Sequence, residues 1–200
     1  SAGDIERQFR EFLDVCKEHN TAIRIGVNHG SLSDRIMDRF GDSPTGMVES
    51  ALEYLRICRK EKFQHVVVSL KSSNTRIMVY SNRLMRKKME EENLIFPLHL
   101  GVTEAGNGEE GRIRSAVGIG TLLFEGLGDT IRVSLTEDPE FEIPVAEKLL
   151  EATGVSERSV KYQPSAGFQS TAYFRRTSDK YGHLGGGQPP TVIAGYQPED

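Results

Sequence analysis

With 200 residues and 37% hydrophobic side chains, the chain can bury a real core as one large domain, or as a domain and part of another. Its 25 basic and 29 acidic residues leave a net charge of −4, which excludes a general field for nucleic acid and makes any anion site local. No run approaches the roughly 18 apolar residues of a membrane span, and no charged-then-apolar leader is present, so the expectation is a cytoplasmic globular protein without membrane or nucleic-acid partners.

Ile5, Phe9, Phe12, Leu13 and Cys16 are spaced to lie on one side of an amphipathic helix over residues 5–18. A leading helix with the strand second suggests a piece of a longer repeating β/α array, with an extra leading helix as the alternative. Cys16 and Cys58 sit in apolar, helical surroundings and form no CxxC pair, which fits reduced core thiols. In TAIRIGVN (21–28), Ile23, Ile25 and Val27 alternate with Arg24, Gly26 and Asn28, a strand with one apolar face. An arginine in such a strand needs a carboxylate or an anionic ligand, because an unpaired buried charge is costly.

Residues 29–44 read as a long loop with a short helical piece. Ser43 then caps a helix with Pro44 in its first turn and Val48, Ala51, Leu52, Leu55 and Cys58 as its apolar stripe. The second strand, HVVVSLK (65–71), sets Val66, Val68 and Leu70 opposite Val67, Ser69 and Lys71. Asn74 is placed to cap the following helix, where Ile77, Tyr80 and Leu84 share a side, and the charge run at its end (86–93) reads as a solvated surface.

Pro97–Gly111, PLHLGVTEAGNGEEG, joins a strand, a polar strand end and a glycine-rich turn. Leu98, Leu100 and Val102 form its apolar face; His99, Gly101 and Thr103 face the other way, followed by Glu104. The amides at Gly106, Gly108 and Gly111 are placed to approach an anion where the next helix begins, with plain turn punctuation as the commoner reading of such a stretch. That helix is expected from Glu109 to Phe124, with Ile113, Ala116, Val117, Gly120 and Leu123 inward. The fourth strand, TIRVSL (130–135), places Thr130, Arg132 and Ser134 opposite Ile131, Val133 and Leu135, and a last helix follows from about Ile143 to Glu151. After Val155 the chain turns Gly/Pro-rich, with Gly185–Gly187 and paired prolines at 189 and 190; residues 156–200 read as a linker or the start of another domain, and Arg175 with Arg176 as an exposed basic pair.

Four strand-helix units spaced by roughly 30 to 40 residues argue for a parallel α/β array. A closed (β/α)8 barrel needs eight strands, so residues 1–155 would supply only half of one; an open doubly wound sheet is the alternative. The polar faces of the four strands carry Arg24 and Asn28, Lys71, His99, and Arg132 with Ser134. Converging at the C-terminal mouth of a parallel barrel, these cations and donors call for a multiply charged oxyanion such as a diphosphate. The competing readings are an internal ion-pair network in a non-catalytic scaffold, a Schiff-base aldolase with Lys71 as nucleophile, and a pterin-binding synthase on the same architecture.

IRIGVN (23–28), VSLKSSN (68–74), PLHLGVTEAG (97–106), SAVGIG (115–120) and GDTIRVSLTEDP (128–139) together resemble the second half of the barrel of the 4-hydroxy-3-methylbut-2-enyl diphosphate synthases, in their long three-domain form. The resemblance implies a TIM barrel that holds 2-C-methyl-D-erythritol 2,4-cyclodiphosphate, and isoprenoid biosynthesis by the methylerythritol phosphate pathway. It also implies an oxidoreductase that opens this ring reductively with a 4Fe-4S cluster on a separate domain, electrons from flavodoxin or ferredoxin, and a homodimer. Position by position, Arg24 and Asn28 match diphosphate-contacting residues of that family, Lys71 its barrel lysine, and Arg132 with Ser134 its arginine and serine at the last strand. His99 and Glu104 lie in a matching block and are carried as substrate-binding. The cluster's cysteine ligands are absent from this chain, so the fragment is expected to bind no cluster and to be inactive alone. The compartment implied is a bacterial cytoplasm, with the plastid as the alternative.

Overall fold

The computed structural model describes residues 2–154, 178–182 and 184–188. Expectations for the remainder of the tail, including Arg175, Arg176 and the paired prolines, fall outside the described residues. In chain order the elements are α1 (Ala2–Glu18), β1 (Ile23–Asn28), α2 (Asp34–Phe40), α3 (Pro44–Lys60), β2 (Val66–Lys71), α4 (Thr75–Glu91), β3 (His99–Gly101) and α5 (Gly108–Ser115). A widened helical turn at Ala116–Gly120 leads into α6 (Thr121–Phe124), followed by β4 (Thr130–Arg132), a 3-10 turn at Pro139–Phe141 and α7 (Glu142–Thr153).

The chain divides into two compact units, Ser1–Gly167 and Phe168–Asp200. In the second, β5 (Lys180–Tyr181) and β6 (Leu184–Gly185) pair antiparallel. In the first, β1 pairs parallel with β2 and β3 with β4, and isolated parallel bridges Val68–Leu98 and Ser72–Val102 join the two pairs. The four strands therefore stand side by side in sequence order, as consecutive β/α units dictate.

Strand alternation matches expectation. Ile25, Val27, Val66, Val68, Leu70, Leu98, Leu100, Val102 and Val133 are buried, while Arg24, Gly26 and Asn28 are exposed on the other face of β1. The stripe of α3 is as expected, with Val48, Ala51, Leu52, Leu55 and Cys58 at most 1% exposed; each large aliphatic among them contributes about 1.5–3 kcal/mol by leaving water. Ser43 Oγ accepts from Gly46 N at 3.1 Å, and Asn74 Oδ1 accepts from Arg76 N at 3.0 Å, so both expected caps form.

The helices depart from expectation in their buried faces. On α1, Leu13 and Cys16 are buried, but Phe12 is half exposed, and Phe9 rests edge-on against Tyr54 of α3 with centroids 4.9 Å apart. On α4 the buried side is Met78, Val79, Ser81, Asn82, Met85 and Met89, with Ile77, Tyr80 and Leu84 at its margin. Asn82 turns this face inward, its Nδ2 donating to Leu70 O at 3.1 Å and Met78 O at 2.9 Å. The helix expected over 109–124 is interrupted by the wide turn Ala116–Gly120, which inserts one residue and rotates the face beyond it by about 100°. Gly118, Ile119, Gly120, Leu122 and Leu123 are buried there, Gly120 and Leu123 as expected, whereas Ala116, Ile113 and Val117, also expected inside, are exposed, the last two at 54% and 53%.

Candidate functional site

Strand register builds the site. In β1 and β2, Gly26 stands beside Ser69 and Asn28 beside Lys71. The Val68–Leu98 and Ser72–Val102 bridges set Ser69 beside His99 and Lys71 beside Gly101, and β3 pairs His99 with Thr130 and Gly101 with Arg132. Two rows thus cross the polar face of the strands: Gly26, Ser69, His99 and Thr130, then, one step nearer the strands' C-terminal ends, Asn28, Lys71, Gly101 and Arg132. Arg24 lies one step below the first row, beside Val67.

Four of the expected site residues act on one another. Burial first, then the charges of Arg24 and Arg132, hold the Lys71 ammonium below the usual lysine range. Burial, then Arg24, Lys71 and Arg132, likewise push the His99 imidazole below its ordinary value. Positive charge therefore gathers here faster than the protein neutralises it: among the described residues none of Arg24, Lys71 and Arg132 forms an ion pair. Cations that crowd one another without a carboxylate are relieved by an anion from outside.

The nearby acids serve structure. Asp129 Oδ2 accepts from Leu98 N at 2.7 Å, and Asp129 N donates to Leu98 O at 2.9 Å, which fixes this carboxylate at the N-terminal ends of β3 and β4. Glu104, just past β3, is exposed and holds φ at +53°. The other described non-glycine residues with positive φ, Asn20, Lys62 and Asn93, all follow helix C-termini where that conformation is ordinary. Glu104 instead occupies a strand-to-helix turn. Ser134 continues β4 past Arg132 and is half-buried; no described contact ties it or Glu104 to the cations.

The glycine-rich turn before α5 is not an open anion site. Gly108 N donates to Glu137 Oε1 at 2.8 Å, and Arg112 grips the same carboxylate through Nη1 at 2.5 Å and Nη2 at 2.8 Å. The expected anion at this helix N-terminus is thus the protein's own Glu137. A cavity of about 690 Å³ reaches the paired rows only at Gly26. It follows the free edge of β1 and is mainly apolar, with Phe9, Phe12, Cys16, Ile23 and Tyr54 in its walls and Arg24 at one side.

Among the described residues no group of three His, Cys, Asp or Glu side chains is arranged to hold a metal ion. Cys16 and Cys58 are free, buried and on different helices, and burial pushes the Cys58 thiol up to about 11. The described residues do not fit an iron-sulfur cluster. No described helix is long and apolar enough to cross a membrane.

Sequence reasoning missed Ser69 and Thr130 as members of the site. Both lie on the polar faces it identified, yet their side chains carry no charge to single them out, and only strand pairing brings them to His99.

A family model described as the GcpE TIM-barrel domain matches residues 2–147. The chain is 58% identical over 192 residues to the "4-hydroxy-3-methylbut-2-en-1-yl diphosphate synthase (flavodoxin)" of Parabacteroides distasonis, covering 95% of this chain and 31% of that protein. It is 56% identical over 193 residues to the protein of the same name from Bacteroides fragilis, again 95% of this chain and 31% of the relative. With the "4-hydroxy-3-methylbut-2-en-1-yl diphosphate synthase (ferredoxin)" of Prochlorococcus marinus it shares 50% identity over 187 residues, 91% of this chain and 46% of that protein. The chain spans about a third of the length of the first two of these curated relatives.

Proposed function

The chain belongs to the GcpE TIM-barrel family, and from that premise we propose that it is the diphosphate-holding part of a 4-hydroxy-3-methylbut-2-enyl diphosphate synthase. In this reading residues 1–155 form the C-terminal half of a (β/α)8 barrel, and residues 156–200 are a linker or the start of an inserted domain. The substrate is 2-C-methyl-D-erythritol 2,4-cyclodiphosphate. The observation that carries the reading is the convergence of Arg24, Lys71, His99 and Arg132 on one face without a carboxylate among them.

Each residue has a chemical part. Arg24 and Arg132 present planar forks to phosphate oxygens, and Lys71 supplies a compact point charge between them. Asn28 offers an amide in the row of Lys71, Ser134 a hydroxyl beyond Arg132, and Glu104 a carboxylate at the strand end for an uncharged part of the ligand. As the ring opens, negative charge builds on the departing phosphate oxygen, and cations already in place stabilise it without rearranging. The intact enzyme would draw electrons from flavodoxin or ferredoxin through a 4Fe-4S cluster on a part of the protein outside this chain. It would act in the cytoplasm as a homodimer, while the fragment alone would not turn over.

The depressed Lys71 ammonium also suits a Schiff-base aldolase. A lysine flanked by two arginines is better matched to an anion, and absence of borohydride trapping with a carbonyl substrate separates the two readings. The primary test is calorimetric titration of the folded chain, and of the intact enzyme, with the cyclic diphosphate, beside Arg132→Ala. Binding that the variant loses supports the reading; wild-type and variant affinities that agree in the intact enzyme overturn it.

A further inference from the structure

Two side-chain atoms in the lower row have no partner. Ser69 is 0% exposed and its Oγ is buried without a hydrogen bond; His99 Nε2 is likewise buried and unpaired. They are neighbours by register, since Val68 pairs with Leu98 and the next residues along are Ser69 and His99. The other ring nitrogen of His99 is engaged, its Nδ1 lying 2.8 Å from Thr130 Oγ1. Gly26 completes the row, and a Cβ there would meet nothing within 4 Å, so the space above it is open.

Leaving polar atoms unpaired in a folded interior costs free energy, and two such atoms side by side point to a partner supplied from outside. The sign of the surroundings identifies it. Arg24, Lys71 and Arg132 all act on His99, so the group that settles here is anionic and needs donors. Serine has an O–H to give. Histidine has one at Nε2 when Nδ1 accepts a hydrogen bond from the Thr130 hydroxyl, and burial, then the same cations, push the imidazole below its ordinary value, which favours the neutral ring.

We propose that Ser69 Oγ and His99 Nε2 donate hydrogen bonds to one phosphoryl oxygen of the ligand, with Thr130 as the positioning residue that fixes the His99 tautomer. This rests on the diphosphate reading above and extends it with an uncharged donor pair one step below Lys71 and Arg132, between them and the level of Arg24. The pair adds direction where a further charge would add only repulsion.

The test uses the intact enzyme and the cyclic diphosphate, with binding measured by calorimetry and the His99 tautomer by nitrogen NMR. Ser69→Ala and Thr130→Val are each expected to weaken binding about five- to tenfold. Thr130→Ser, which restores the hydroxyl, is expected to return affinity to within about twofold and the NMR signature of a proton on Nε2. Ser69→Ala should also leave the melting temperature of the ligand-free protein unchanged or raised, because it deletes a hydroxyl that has no partner. A loss of affinity without loss of stability is what a structural role would not produce. If Arg132→Ala loses the ligand while Ser69→Ala and Thr130→Val bind within about twofold of wild type, the donor pair is wrong. If Arg132→Ala binds as wild type does, the diphosphate reading beneath it is wrong.

Discussion

Lys71 and Arg132 stand on either side of Gly101 in one row across three parallel strands. A Cβ at Gly101 would lie 3.7 Å from Lys71 Cδ and 4.0 Å from Arg132 Cβ, so the missing side chain leaves room for two cations over one strand. Gly101→Ala meets only ordinary contacts, the tightest 3.4 Å to Arg132 O, and should fold and bind inorganic pyrophosphate within about threefold of wild type. Gly101→Leu fills the gap, separates the charges, and should weaken pyrophosphate binding at least about tenfold; calorimetry checks both.

His99 makes stability depend on pH. Its pKa is depressed by burial and by Arg24, Lys71 and Arg132 from an ordinary 6.5. Between the folded and ordinary values only the unfolded chain takes up the proton, so stability rises with pH across that window. The contribution is complete above 6.5 and lost as pH falls through the folded value. Urea unfolding from neutral pH to about pH 5 should show a steeper loss for wild type than for His99→Gln.

Glu137 fills the α5 N-terminus as a built-in anion. The Arg112 guanidinium first, and then the Gly108 amide, hold its carboxyl below the usual range against the cost of burial. Glu137→Gln should lower the melting temperature and leave the affinity for the cyclic diphosphate unchanged, because the carboxylate belongs to the turn. An increase in that affinity would show instead that Glu137 competes with the ligand.

Gly118 lets the wide turn press on the end of β3. A Cβ there would approach Val102 Cγ2 to 2.5 Å, whereas at Gly120 the nearest atom is Leu149 Cδ1 at 3.3 Å. Val102 is short, branched and 1% exposed, so it has little room to move. Gly118→Ala should cost about 1–3 kcal/mol in urea unfolding, and Gly120→Ala less.

Cys58 is 0% exposed and its thiol is pushed up to about 11 by burial. Ellman's reagent should therefore leave it unmodified in the native protein at mildly alkaline pH and label it in urea.

Much of this architecture is written in local pattern. The period of two in IRIGVN and VVVSLK, the caps at Ser43 and Asn74, and the apolar stripe of α3 each depend on residues within a few positions of one another. They form as expected. The assignment of Arg24, Lys71, His99 and Arg132 to the polar faces was likewise legible, because alternation belongs to a single strand. The buried side of α5 and of the turn after it was legible only in part: Ile113, Ala116 and Val117, expected inside, are exposed, whereas Gly120 and Leu123 are buried as expected.

Contacts between distant residues were beyond the reach of local pattern. Ser69 meets His99 and Lys71 meets Gly101 only because β2 and β3 join in one register. The carboxylate at the α5 N-terminus comes from Glu137, 29 residues beyond Gly108. A sequence read in windows shows which side chains a strand offers to each face. Which of them become neighbours, and which are left without a partner in the fold, depends on long-range pairing that forms only when the whole sheet and its helices pack together.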